Sequence, residues 1–157
     1  MLNNDVLRQL RYILNVSDYN MADIFSLSDV TVTVDDVRNF LKKDEEDGYK
    51  PCNDRLMTSF LDGLIIFRRG EKEDKQPGKQ IKSKKLTNNE IFKKLRIAFN
   101  LKDTDIIGIL GTEEVIMSKS ELSAFFRNED HPNFKECKDQ FLRKFLRGLT
   151  ARFRQPD

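Results

Sequence analysis

The chain has 157 residues, of which 38% are hydrophobic and 34% charged, with a formal net charge of +2. That length builds one ordinary domain or two very small ones, the composition is not that of a disordered chain, and the charge balance by itself names no partner. The longest apolar run, Leu64 to Phe67, is far short of the ~20 residues of a spanning helix, so no membrane segment is expected.

The first helix is expected from about Asn4 to Asn15, with Val6, Leu7, Leu10, Ile13 and Leu14 on one face. Asparagine at its start is read as a cap for the free amides, and Asp5 suits the positive end of the helix dipole. The same N-terminus, with an acid and no apolar h-region, does not read as a secretory signal. A second helix is expected from Asp18 to about Leu27, with Met21, Ile24 and Phe25 inward. The run Val30 to Val34 has strand propensity but is read as a loop. A third helix begins at Thr33, where Thr33 and Asp36 have capping-box form, and continues with Val37, Phe40 and Leu41 at core spacing. A fourth runs from Cys52 or Asn53 to Arg68.

Residues 70–85 are rich in lysine and poor in apolar side chains, and read as a solvated basic linker. Beyond it the chain repeats itself. A shift of 85 residues aligns the two parts without a gap: Asn3 and Asn4 fall on Asn88 and Asn89, Leu10-Arg11 on Leu95-Arg96, Asn15 on Asn100, Asp18 on Asp103, Cys52 on Cys137, and Asp54 on Asp139. Phe60-Leu61-x-Gly63-Leu64 falls on Phe145-Leu146-x-Gly148-Leu149. Ser118 and Glu121 form the second capping box, followed by Leu122, Phe125 and Phe126, and the last helix spans Cys137 to Phe153. The expected architecture is all-α: repeat one over 1–69, the linker over 70–85 and repeat two over 86–157, each repeat with about four helices, the two packed with pseudo-twofold symmetry.

The stretches NNDVLRQLRYIL, FLKKDEEDGYKPC and FLDGLIIFRRG in the first half, with KKLRIAF and DHPNFKECKDQFLRKFLRGL in the second, resemble the YehS-like family of small bacterial proteins. That family is a tandem repeat with no assigned chemistry. The resemblance implies a bacterial, cytoplasmic protein and carries no catalytic residues with it.

Reactive groups are few. The single histidine, His131, lies in a polar loop with no nucleophile motif beside it. Cys52 and Cys137 sit where a helix dipole could lower a thiol pKa, but their shared repeat position favours small packed residues. A reducing cytosol suits them better than a disulfide framework. Gly108 and Gly111 lack phosphate-loop spacing, and the acidic runs lack calcium-loop spacing. No cofactor, metal or enzymatic activity is expected.

Two binding readings remain. The preferred one is a protein-interaction or regulatory module with an unidentified protein partner. The alternative is a nucleic-acid binder using the last helix and the linker. Arg143, Arg147 and Arg154 share a narrow arc, Lys144 lies beside it, and Lys82, Lys84 and Lys85 add charge upstream. Repeat one has Thr58, Ser59 and Asp62 where repeat two has Arg143, Lys144 and Arg147. The second and third helices of repeat one resemble a helix-turn-helix in outline, but with a longer turn and with Asp35 and Asp36 where phosphates would lie. Gly63 and Gly148, each inside a helix at a cost of about 1 kcal/mol relative to alanine, are expected where the fourth helix crosses another helix closely, near the junction of the repeats.

Overall fold

The structure, a computed structural model, describes residues 1–70 and 85–154. Among them are eight α-helices and no strand. Repeat one holds α1 (Asn3–Leu14), α2 (Asp18–Ser26), α3 (Val34–Leu41) and α4 (Asp54–Arg69). Repeat two holds α5 (Asn88–Ala98), α6 (Asp103–Gly111), α7 (Lys119–Ser123) and α8 (Asp139–Phe153). The 85-residue shift maps each helix onto its counterpart. Most of the linker, with Lys82 and Lys84, lies outside the described residues.

Side-chain caps fix several of the helix starts. Ser17, Thr33 and Asn53 accept from the amides of Asn20, Asp36 and Leu56, and Thr87 and Ser118 from those of Glu90 and Glu121. Both capping boxes close, because Asp36 and Glu121 also accept from the Thr33 and Ser118 amides. The expected asparagine cap of α1 is not there. Leu2 takes the cap position and Asp5 accepts from its amide, while Asn4 points inward. The fourth helices also start later than expected: Cys52 and Cys137 lie just before them, and the first helical residues are Asp54 and Asp139. The run Val30 to Thr33 is loop, and Val34 opens α3.

Backbone correspondence extends into the turns. Asn15 and Asn100 are both left-handed, at φ 52° and 53°, and so are Asp29 and Glu114, at 67° and 63°. Asparagine tolerates this region, and Asn15 ends α1 there. The repeats part company at the third helix. In repeat two it shortens to α7 and tightens into a 3₁₀ turn, Ala124–Phe126. That turn sends two rings to one neighbour: Phe126 stacks on Phe92 with centroids 5.0 Å apart, and Phe125 meets it edge-on at 5.9 Å.

Packing follows a twofold, not a stack. Helix α4 packs on α5, and α1 packs on α8. Exchanging the repeats turns one of these interfaces into the other. One continuous core results, drawn from both repeats. Its aromatic centre moves between copies. Phe25 on α2 meets Phe60 at 5.0 Å in repeat one, whereas Phe92 on α5 meets Phe145 at 4.7 Å in repeat two. The position equivalent to Phe25 is Leu110, and that equivalent to Phe92 is Leu7, so large and small side chains have traded places at similar total volume.

Gly63 and Gly148 sit at crossings inside each repeat. A Cβ on Gly63 would overlap the carbonyl oxygen of Ile24 on α2, and one on Gly148 would lie 2.5 Å from Ile109 Cγ2 and 2.8 Å from the Ile109 carbonyl oxygen on α6. The glycines therefore set the α4–α2 and α8–α6 approach, away from the seams between repeats. Seven residues, 27–33, separate α2 from α3, which pack on each other. Asp36 is taken up by its own cap and by Lys50 at 3.2 Å, and Asp35 by Arg38 at 3.6 Å.

Candidate functional site

The polar residues kept in both copies build the frame. The side-chain amide of Asn4 donates to the carbonyls of Phe40 and Lys50, both at 2.9 Å, and its oxygen accepts from the Cys52 amide at 3.0 Å. Asn89 makes the same three bonds with Phe125, Lys135 and Cys137. Each asparagine thus ties the end of the third helix and the following loop to the first helix. For Asn4 the bonds to the Phe40 carbonyl and the Cys52 amide satisfy backbone groups that would otherwise be buried without partners.

The paired aspartates lock one repeat to the other. Asp54 accepts from Asn3 at 2.8 Å and from the Leu86 amide of the other repeat at 3.0 Å. Asp139 accepts from Asn88 at 2.8 Å and from the Met1 amino group at 2.6 Å. These two bonds, led by that to the amino group, hold the Asp139 carboxyl below its usual range. Arg11 with Asp18 and Arg96 with Asp103 form a further matched pair of ion pairs, at 2.9 and 2.7 Å.

The cysteines are buried and free. Burial, reinforced by Asp54 and Asp139, pushes both thiols up to about 12. That is opposite to an activated thiolate. His131 is exposed in its loop, where Nδ1 accepts from the Asn133 amide at 3.0 Å. Among the described residues no group of three or more His, Cys, Asp or Glu side chains converges as a metal site would require.

The basic stripe on α8 is partly drawn inward. Arg154 donates to the Tyr12 carbonyl at 2.6 Å and lies 3.9 Å above the Tyr12 ring. Arg147 pairs with Glu113 at 2.8 Å. Arg152, on the same helix, pairs with Asp105 at 3.2 Å. Arg143 is exposed and Lys144 half-buried, and neither makes a hydrogen bond or ion pair among the described residues, although Arg143 acts electrostatically on Asp139. Lys85 is exposed where the described chain resumes. Among the described residues of the expected constellation, Arg147 and Arg154 therefore have intramolecular partners, while Arg143 and Lys85 are exposed and Lys144 is half-buried.

What the structure does bring together is a groove of about 370 Å³ where α1 meets α8. It is lined by Met1, Asp5, Arg8, Gln9, Arg143, Leu146 and Arg147. Arg8 is anchored at its edge, donating to the Lys42 carbonyl at 2.9 Å and pairing with Asp5. At the equivalent seam, between α4 and α5, Lys94 and Asp62 close the surface with an ion pair at 2.5 Å. The matching positions in the groove hold Gln9 and Arg147, which carry no such pair. Sequence reasoning does not single out Arg8 or Gln9. The signal is a joint change, Lys94 to Gln9 and Asp62 to Arg147, which gains meaning only once α1 is known to lie against α8.

No helix among the described residues is long and apolar enough to cross a membrane. A family profile described as "Protein of unknown function (DUF1456)" matches residues 3–70 and again 88–155, once on each repeat. The chain is also similar to the Uncharacterized protein YehS of Escherichia coli (strain K12), with 44% identity over 152 residues, covering 97% of this chain and 96% of that one. No solved structure matches. With both repeats matched and nearly the whole length shared with that relative, the chain belongs to the DUF1456 family of proteins of unknown function.

Proposed function

We propose that this protein is a non-enzymatic helical module that binds another protein through a surface present in only one of its two seams. One observation carries this reading. Asn4 and Asn89, Asp54 and Asp139, and the two cysteines, the chemistry-bearing residues shared by the copies, are spent on holding the fold. The copies also differ in core packing and at the third helix, and one surface difference falls at a seam: where α4 and α5 carry the Asp62–Lys94 pair, α8 and α1 carry Arg147 and Gln9. Two buried, unpaired thiols support a cytoplasmic setting. The nucleic-acid alternative draws less support, since Arg152 and Arg154 have intramolecular partners.

The test is affinity capture with the full chain from its bacterial host after nuclease treatment, run beside anisotropy measurements with DNA and RNA over a salt series. The reading expects a reproducible protein partner and a flat nucleic-acid response at low salt. Capture at background level, or salt-sensitive nucleic-acid binding, overturns it.

A further inference from the structure

We propose that the groove between α1 and α8 docks an extended acidic segment of the protein partner, with Arg143 and Arg147 as the gripping residues and Arg8 at its edge. The proposal rests on the interaction-module reading and gives the partner its chemistry.

The duplication makes the α4–α5 and α1–α8 seams equivalent, yet their surfaces differ. At the α4–α5 seam the positions read Thr58, Asp62 and Lys94, and Asp62 bonds Lys94 across the repeats. At the α1–α8 seam the same positions read Arg143, Arg147 and Gln9. Gln9 spends its amide on Thr150 Oγ1 at 2.7 Å, and Arg147 pairs with Glu113. The attractive pair has been replaced by Arg147 and Gln9, and with Arg143 in place of Thr58 two guanidinium groups stand on α8 at this seam. The buried Leu146 lies between them and the core as an apolar floor.

Guanidinium forks match carboxylates with two parallel hydrogen bonds. Arg143 and Arg147 are one turn apart on α8, about 6 Å along its axis. Alternate side chains of an extended peptide recur at about 6.7 Å on one face, so an acidic residue at every second position fits the pair. The Arg147–Glu113 pair is solvent-exposed on the Arg147 side (58%), and such pairs hold weakly, which leaves Glu113 as a displaceable stand-in for the partner's carboxylate. A nucleic-acid strand fits less well. No aromatic ring lines the groove to stack a base.

The experiment uses the full chain and a fluorescein-labelled hexapeptide of alternating glutamate and alanine, read by anisotropy, with thermal melting to verify each variant's fold. Binding is expected at low salt and weakens as salt rises. Arg143→Gln and Arg147→Gln each weaken it about tenfold, a typical loss for one charged contact at a site. Glu113→Gln strengthens it about threefold by removing the competing carboxylate. Lys94→Gln removes the same charge from the closed seam and leaves affinity unchanged. The proposal is overturned if the peptide does not bind, if Lys94→Gln matters as much as Arg147→Gln, if Glu113→Gln weakens binding, or if an oligothymidine binds more tightly with the same arginine dependence. The module reading fails separately: a partner captured as well by Arg143→Gln, Arg147→Gln protein as by the parent sinks the groove and spares the module, and no captured partner at all sinks the module.

Discussion

The backbone at Gly63 lies so close to Ile24 that a Cβ there would overlap the Ile24 carbonyl oxygen and stand 2.9 Å from its carbonyl carbon. A methyl group cannot fit without moving α4 off α2. Gly63→Ala is therefore expected to destabilise the protein by about 1–3 kcal/mol, the usual cost of overpacking. Gly148→Ala should behave alike. Gly108 is helical too, but nothing lies within 4 Å of its Cβ position. There the same substitution should stabilise by about 0.5–1 kcal/mol, from helix propensity alone. Urea unfolding of the three variants checks the opposite signs, and a stabilising Gly63→Ala would remove the close crossing from the account.

Asn4 is only 2% exposed and holds two carbonyls and one amide of its repeat. Asn4→Ala strands those groups, and a loss of about 2–4 kcal/mol is expected from unsatisfied buried polar groups. Asn89 makes the same bonds in a half-buried setting, where water can replace it. Its alanine variant should cost clearly less. Equal losses from denaturant midpoints would contradict this ordering.

The thiols of Cys52 and Cys137 stand at about 12 in the folded chain against an ordinary 9.0. Their folded pKa is raised, so the stability they allow is fully present below about pH 9. It is lost as pH rises from there towards 12, because only the unfolded chain can then release the protons. Melting temperatures should fall between pH 9 and 10.5, and fall less in a Cys52→Ala, Cys137→Ala chain. An aromatic disulfide reagent at pH 8 should label neither thiol until the protein unfolds. Rapid labelling of the native chain would show that they are not buried as described. On the acid side the sign reverses for Asp139: its folded pKa is lowered, so the stability it gives is present above the usual carboxylate range and is lost as pH falls.

Much of the frame is legible in the sequence because duplication writes each structural requirement twice. A glycine, a capping box or a cysteine that recurs at an 85-residue shift marks a shared backbone need, and the helix starts at Thr33 and Ser118 follow from local chemistry alone. Asn4 misleads for a physical reason. An asparagine in a first turn has the pattern of a cap, and its true partners at Phe40, Lys50 and Cys52 are distant in sequence. The charge stripe on α8 misleads in a similar way. Helical periodicity places Arg147 and Arg154 on one arc, but it does not show Glu113 of the α6–α7 turn or the end of α1 waiting to receive them. The groove is hidden for the same reason, since its walls come from opposite ends of the chain.

The central claim is that the seam without a counterpart of the Asp62–Lys94 ion pair is the one that receives a partner. Copying the closed seam into the open one tests it most directly. Gln9→Lys with Arg147→Asp reproduces the pair that Lys94 and Asp62 make at 2.5 Å between α4 and α5. The measurement is peptide anisotropy with the alternating glutamate–alanine probe, on a double variant whose melting temperature matches the parent. The account predicts a folded protein that no longer binds the probe. Unchanged binding by that folded double variant would contradict it.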